Sequence, residues 1–261
     1  MKHKRLVIIT TCLVFVMVCV LCLKELFSVK DITVVYSVTS NEVTEEVLSL
    51  LEKYKGESIF SIDDEKITEE ITANRYLKVL SVEKKYPNEL IINLQERTEK
   101  YYYEKAGEYF FFDEEYFIVR KSTDSPHEKE YLTEFIFENM DNSQNYYPME
   151  IECELKSVFN FPDCFINDVA VITHNIEKVS SNVLKISFIQ TPEEGNYFIY
   201  LQMKEGVLIQ INKSGVRLEE KIKSWVDFYI DLEEDRKIAG LIKVMERDND
   251  KNIHSVHSFV E

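Results

Sequence analysis

The stretch Leu80-Ser81-Val82-Glu83-Lys84-Lys85-Tyr86-Pro87-Asn88-Glu89-Leu90-Ile91-Ile92-Asn93-Leu94 decides the fold of the region around it. Leu80 and Val82 alternate with Ser81 and Glu83, the period of a strand with one buried face. Tyr86-Pro87-Asn88-Glu89 places Pro second in a four-residue turn, where its fixed φ suits the bend. Leu90, Ile92 and Leu94 then alternate with Ile91, Asn93 and Gln95, which takes the second trio to the less buried face. The pattern predicts a β-hairpin.

Upstream, Val29 to Tyr36 is rich in β-branched residues and reads as a strand. Thr44 reads as an N-cap, with Glu45 and Glu46 in the first turn where the helix dipole favours acids, and with Val43 and Leu48 spaced as a hydrophobic staple. Val47, Leu48, Leu51 and Tyr54 form its apolar face, and Gly56 is placed to end it. A second helix starts at once: Asp63 caps, Ile62 and Ile67 staple, and Ile71 continues the face. Strand, helix, helix, strand, strand from about 29 to 97 makes a complete α+β unit, two helices covering one face of a small sheet.

Ahead of this unit, Met1-Lys2-His3-Lys4-Arg5 precedes an apolar run from Leu6 to Leu23, with Leu26 and Phe27 just beyond Lys24 and Glu25. Eighteen residues of helix span about 27 Å, close to the hydrocarbon thickness of a bilayer. Lys24 can snorkel, so the expected span is 6–27. Lys2, Lys4 and Arg5, with no acid among them, hold residues 1–5 in the cytoplasm and place the rest outside. The rival reading is a cleaved signal peptide, but such cores run about 7–15 residues and end at a small-x-small site. This run is longer and ends Cys22-Leu23-Lys24-Glu25-Leu26-Phe27. The residues before Cys12, Cys19 and Cys22 do not suit a lipoprotein signal either.

Three of the 31 Lys and Arg precede Leu6, and all 47 Asp and Glu follow Leu23, so the chain beyond the anchor carries a net charge of −19. That argues against nucleic acid and against close contact with anionic lipid head groups, which favour basic patches. Fifteen Tyr and 16 Phe against 6 Gly and 5 Pro suggest compact, aromatic-rich β structure. Cys153 and Cys164 are compatible either with a disulfide or with two small buried thiols.

From 98 onward strands dominate. Tyr101 to Tyr103, a turn near Gly107, Tyr109 to Phe112, and Tyr116 to Val119 read as a meander. Roughly 121–165 carries no clear pattern. Val183 to Ile189, Tyr197 to Met203 and Val207 to Ile211 alternate, with Lys204-Glu205-Gly206 as a hairpin turn. Leu218, Ile222, Trp225, Val226, Tyr229 and Ile230 share a helix face. Gly240 to Val244 is the expected last strand, the β domain runs 98–247, and the polar residues 248–261 read as a frayed tail.

The stretch Asn74 to Arg97, with its strand, its basic-aromatic-Pro-Asn turn, its alternating strand and its closing Glu96-Arg97, resembles the end of the POTRA domain of the FtsQ/DivIB cell-division proteins. Val29 to Val34, the Thr44-capped helix and Gly56-Glu57-Ser58-Ile59-Phe60-Ser61-Ile62-Asp63 are similar to that family too. So is the layout of short tail, membrane helix, POTRA domain (28–97) and β domain. Where the family carries an acid and then a Gly turn, this chain has Asp113-Glu114-Glu115-Tyr116, acid present and Gly missing. The resemblance implies a non-enzymatic, single-pass scaffold at the division septum of a bacterial plasma membrane. Its implied partners are FtsB/DivIC-like and FtsL-like membrane proteins and, through them, the septal peptidoglycan synthase. A membrane-anchored sensor or adhesin that uses a POTRA-like module is the alternative.

Catalytic chemistry has no evident carrier in the sequence. Nucleophile elbow, Walker loop and dinucleotide fingerprint are missing. His254 and His257 lack a third ligand beside them. Asp63-Asp64-Glu65 lacks the Gly and the terminal Glu of a calcium loop, and a cap explains it better. No catalytic, metal or cofactor site is expected. For a partner site the expected residues are the last strand, Gly240, Leu241, Ile242, Lys243 and Val244, as an open edge that can accept a partner strand. Trp225 and Tyr229 are the aromatic anchors expected beside it, against the plainer reading that both are core residues of their helix.

Overall fold

The computed structural model describes residues 2–37, 41–126, 131–140, 151–191, 197–212, 217–246 and 252–258, with side chains of 2–9 and 41–44 left undescribed. The chain divides into two compact units, Met1–Arg97 and Thr98–Glu261, and the whole is mixed α+β.

The first unit begins with helix α1 (Lys2–Leu26), on which the expected span falls. Its described side chains start at Thr10, which leaves a stretch shorter than the ~18 apolar residues a crossing needs. Among the described residues no helix is long and apolar enough to cross a membrane. Then follow β1 (Asp31–Tyr36), α2 (Asn41–Leu51), α3 (Asp64–Thr72), β2 (Leu77–Lys85) and β3 (Glu89–Glu96). The sheet order is β1-β3-β2, with β1 parallel and β2 antiparallel to β3. Leu90, Ile92 and Leu94 are fully buried on β3 and meet Val47, Leu51, Ile67 and Ile71 from the two helices.

The local signals explain these elements, with two corrections. The Asp63 carboxylate accepts from the backbone N–H groups of Glu65 (3.0 Å) and Lys66 (3.4 Å), and so starts α3. Gly56, at φ +86°, turns the chain after α2 and the short 3₁₀ turn Glu52–Tyr54. Thr44 is not a cap: α2 begins three residues earlier, at Asn41, and the Val43 half of the staple lies outside the described side chains. On β2 the pairing slips between Val79 and Ser81. This bulge takes Leu80 out of phase with Val82, so Val79 and Val82 pack against the core while Leu80 is 47% exposed.

The second unit is a sheet of nine described strands. Strands β4 (Tyr101–Lys105), β5 (Glu108–Phe112) and β6 (Ile118–Ser122) form the expected meander. Ala106 and Gly107 (φ +54° and +79°) turn β4 into β5 as a two-residue hairpin loop requires. After β7 (Thr133–Asn139), inside the stretch without a clear sequence pattern, and helix α4 (Ile166–Asn175), just beyond it, come β8 (Val183–Gln190), β9 (Tyr197–Met203) and β10 (Leu208–Ile211). Helices α5 (Leu218–Asp231) and α6 (Glu234–Lys237) lead to β11 (Leu241–Glu246) and β12 (Ile253–Ser258). The order is β12-β11-β10-β9-β8-β7-β4-β5-β6.

Aromatic rings fill much of this core. Phe112 stacks on Phe159 (4.7 Å), Phe165 meets Phe188 (4.9 Å) and Tyr116 meets Phe161 edge-on (4.8 Å). The missing Gly is explained here. Tyr116 itself takes the left-handed conformation, φ +63°. The buried Asp113 carboxylate holds the turn by accepting from the N–H groups of Glu115 and Phe117, each at 2.9 Å. Packing of the Tyr116 ring, and its hydroxyl's 2.6 Å bond to Thr173, offset the conformational cost that Gly would have avoided. Cys153 and Cys164 are free thiols packed at the core margin, and burial pushes the Cys153 thiol up to about 11.

Two outcomes test this account. In urea unfolding, Ile92→Ala should cost about 2–5 kcal/mol, whereas Leu80→Ala should stay within about 0.5 kcal/mol. A large Leu80 effect would refute the bulge. Asp113→Ala should cost about 1–2 kcal/mol by stranding two part-buried donors, and Asp113→Asn, which keeps the acceptor, clearly less.

Candidate functional site: the open end of the large sheet

The last strands run differently from the sequence expectation, and the difference relocates the site. Residues 253–258 are not a frayed tail. They form β12, which pairs antiparallel with β11 from Leu241↔Ser258 to Glu246↔Ile253. β11 is therefore interior, bonded to β12 on one side and parallel to β10 on the other, and Gly240 to Val244 are not an edge. The signal that could have revealed β12 is the alternation Ile253, Ser255, His257 against His254, Val256, Ser258, weak because only two of the six are aliphatic.

Trp225 and Tyr229 are corrected as well. They are 0% and 2% exposed and meet each other edge-on at 6.2 Å, inside the stripe that α5 buries with Leu218, Ile222 and Val226. An anchor must reach a partner, and these rings face the chain's own core. Burial raises the Tyr229 phenol well above its ordinary value, with the neighbouring Glu205 adding to the effect. Ile230, assigned to the same stripe, is instead 47% exposed. Of the seven expected residues, Ile242 and Val244 are also fully buried, and only Lys243 is exposed.

What the structure places at this end is β12 backed by α5. Ser255 Oγ meets Ser224 Oγ of α5 at 2.9 Å, and Ile253 packs on the core. Alternation sends Val256, 49% exposed, to the face without helices. There the register aligns it with Lys243 of β11, Gln210 of β10 and Tyr200 of β9, and Gln210 Nε2 donates to the Tyr200 hydroxyl (3.1 Å). The opposite end of the sheet is more occupied. Phe117, just before β6, bridges Val158, and the N–H of Ile118 donates to Ser157 O (2.9 Å). Among the described residues, β12 and β6 are the two end strands of this sheet, and β12 is the one without such a bridge.

Gly240 fixes how β12 sits. At φ +103° it occupies a backbone region that L side chains avoid, and a Cβ there would lie 2.7 Å from His257 Nε2 and 2.8 Å from Ser258 O. The same His257 nitrogen is 3.1 Å from Ala239 O. Among the described residues there is no group of three or more His, Cys, Asp or Glu arranged to hold a metal. The half-buried Asp168 carboxyl, raised by burial against the opposing effects of the Tyr197 hydroxyl and Lys221, ties α4 to β9. It takes part in packing, as does Lys221 Nζ, which donates to Asn212 O at 3.1 Å.

Compared with known families, residues 27–97 match the POTRA domain of FtsQ type. The match spans the first unit from the end of α1 to Arg97 and supports the resemblance to the FtsQ/DivIB family. No curated protein matches the chain.

Gly240→Ala should lower stability by about 1–3 kcal/mol and speed amide exchange in β12 while leaving β8 and β9 protected. Unchanged exchange in β12 would show that the glycine does not seat the strand.

Proposed function

We propose that this chain is a non-enzymatic, single-pass scaffold of the bacterial division septum. The observation that carries the reading is the FtsQ-type POTRA match over 27–97, directly behind a helix whose residues Leu6 to Leu23 form an uncharged apolar run. At 1.5 Å per residue that run is long enough to cross a bilayer. Lys2, Lys4 and Arg5 place the N-terminus in the cytoplasm and both folded units outside it.

The working surface in this reading is β12. A partner strand laid beside it gains affinity through main-chain hydrogen bonds, and its side chains opposite His254, Val256 and Ser258, the alternate positions of β12 on the face without helices, supply selectivity. The partners are small single-pass proteins of the FtsB/DivIC and FtsL kind. Through them the chain takes part in control of the septal peptidoglycan synthase. It uses no cofactor and binds no nucleic acid, in keeping with its acidity outside the anchor.

A fluorescent fusion on the N-terminus, imaged in the native host beside a division-ring marker, should form a midcell band with the constricting ring. An even peripheral signal through the whole cell cycle would overturn the septal scaffold and favour an anchored sensor or adhesin.

A further inference from the structure

The junction between α1 and the POTRA domain is built as a rigid joint. Phe27 N–H donates to Leu23 O (2.9 Å), continuing the helix. The next residues are stitched to the loop after α2: Ile59 N–H to Phe27 O (2.8 Å), Val29 N–H to Glu57 O (2.8 Å) and Gly56 N–H to Val29 O (2.9 Å). Ser28 and Ser58 form an antiparallel bridge. The domain is therefore held at a set pose on the end of the helix rather than swinging on a linker.

That pose brings three aromatic rings together. Phe27 lies 5.0 Å from Phe60, and Phe60 stacks on Tyr86 at 5.4 Å. Phe60 is 63% and Tyr86 58% exposed. Single exposed aromatics are ordinary, but a contiguous ladder of them that continues an apolar helix marks an interaction surface. At the end of α1 a groove of about 660 Å³ is lined by Leu21, Lys24, Glu25, Lys30, Lys55 and Gly56 among others. Leu21 belongs to the apolar run, so the Lys55-Gly56 loop stands level with the last turns of α1. Exposed rings at the level where an apolar helix ends, with lysines on the same joint, have the composition of a bilayer interface: rings settle at head-group level and lysines reach the phosphates.

We propose that the POTRA domain seats on the outer leaflet through Phe60 and Tyr86, with Lys24 and Lys30 facing the lipid phosphates. This rests on α1 being a membrane anchor. The contact is local, so it coexists with the acidity of the rest of the chain. Seating fixes the orientation of the domain to the membrane and limits its search for membrane-bound partners to the bilayer surface.

The test uses the full chain in phosphatidylcholine–phosphatidylglycerol vesicles with brominated acyl chains, which quench tryptophan only at lipid contact. Phe60→Trp and Tyr86→Trp report the surface, and Phe15→Trp reports the helix. Trp225, fully buried in the other unit, gives a constant background. Seating predicts blue-shifted emission and quenching at Phe60→Trp and Tyr86→Trp as well as at Phe15→Trp. If Phe15→Trp is quenched while the other two emit as in water, the anchor stands and the seating is overturned. A blue shift at the two surface positions without quenching means that protein covers them, and also overturns it. Absence of quenching at all three overturns the anchor and the seating together.

Discussion

Each sheet in this chain must bury one face, and each does so beneath a pair of helices. In the first unit α2 and α3 lie over the side chains of β3, where Leu90, Ile92 and Leu94 reach zero exposure. In the second, α4 and α5 cover the face that carries Phe188, Ile199, Ile209, Ile242 and Val244. Burying one face leaves two other features of a sheet unused: its opposite face and its ends. The candidate partner site is therefore a consequence of how the core is closed. Trp225 and Tyr229 show the exclusion from the other side, because rings spent on closing the core cannot also reach a partner.

The parts legible in the sequence are those where one local rule acts alone. The alternation on β3 reads directly because that strand is central and its two faces differ strongly. Asp63 reads as a cap because its carboxylate serves two orphan donors of its own helix. The stripe on α5 reads because an amphipathic helix of 14 residues repeats its period several times. Failures cluster where a non-local partner decides. A bulge on β2 re-aims Leu80 without any Gly or Pro to announce it. Helix α4 is dense in β-branched residues, yet Val169, Ile172 and Ile176 are buried at helical spacing; tertiary packing overrode propensity. Strand β12 forms because β11 offers it a ladder.

Tyr116 shows the same point at one residue. Sequence comparison wants Gly where the chain must turn left-handed, and a Tyr there looks like the loss of the turn. The turn survives because Asp113 supplies the hydrogen bonds and the aromatic cluster supplies the packing.

The edge reading also constrains what a partner can look like. A strand added outside β12 would send alternate side chains to two different surroundings. On one side stands α5, which presents Ser224 behind Ser255. On the other lies the uncovered sheet face, where Val256 comes first and Lys243 sits one strand further in. Main-chain bonds are indifferent to sequence, so discrimination falls to those alternate positions. Val256 favours an apolar side chain, while the serine pair leaves little depth for a large ring. The selective information on this edge thus sits on one face of the incoming strand. A one-residue slip in register would turn the matching residues to the wrong side, so the same surface that accepts a strand also fixes its register.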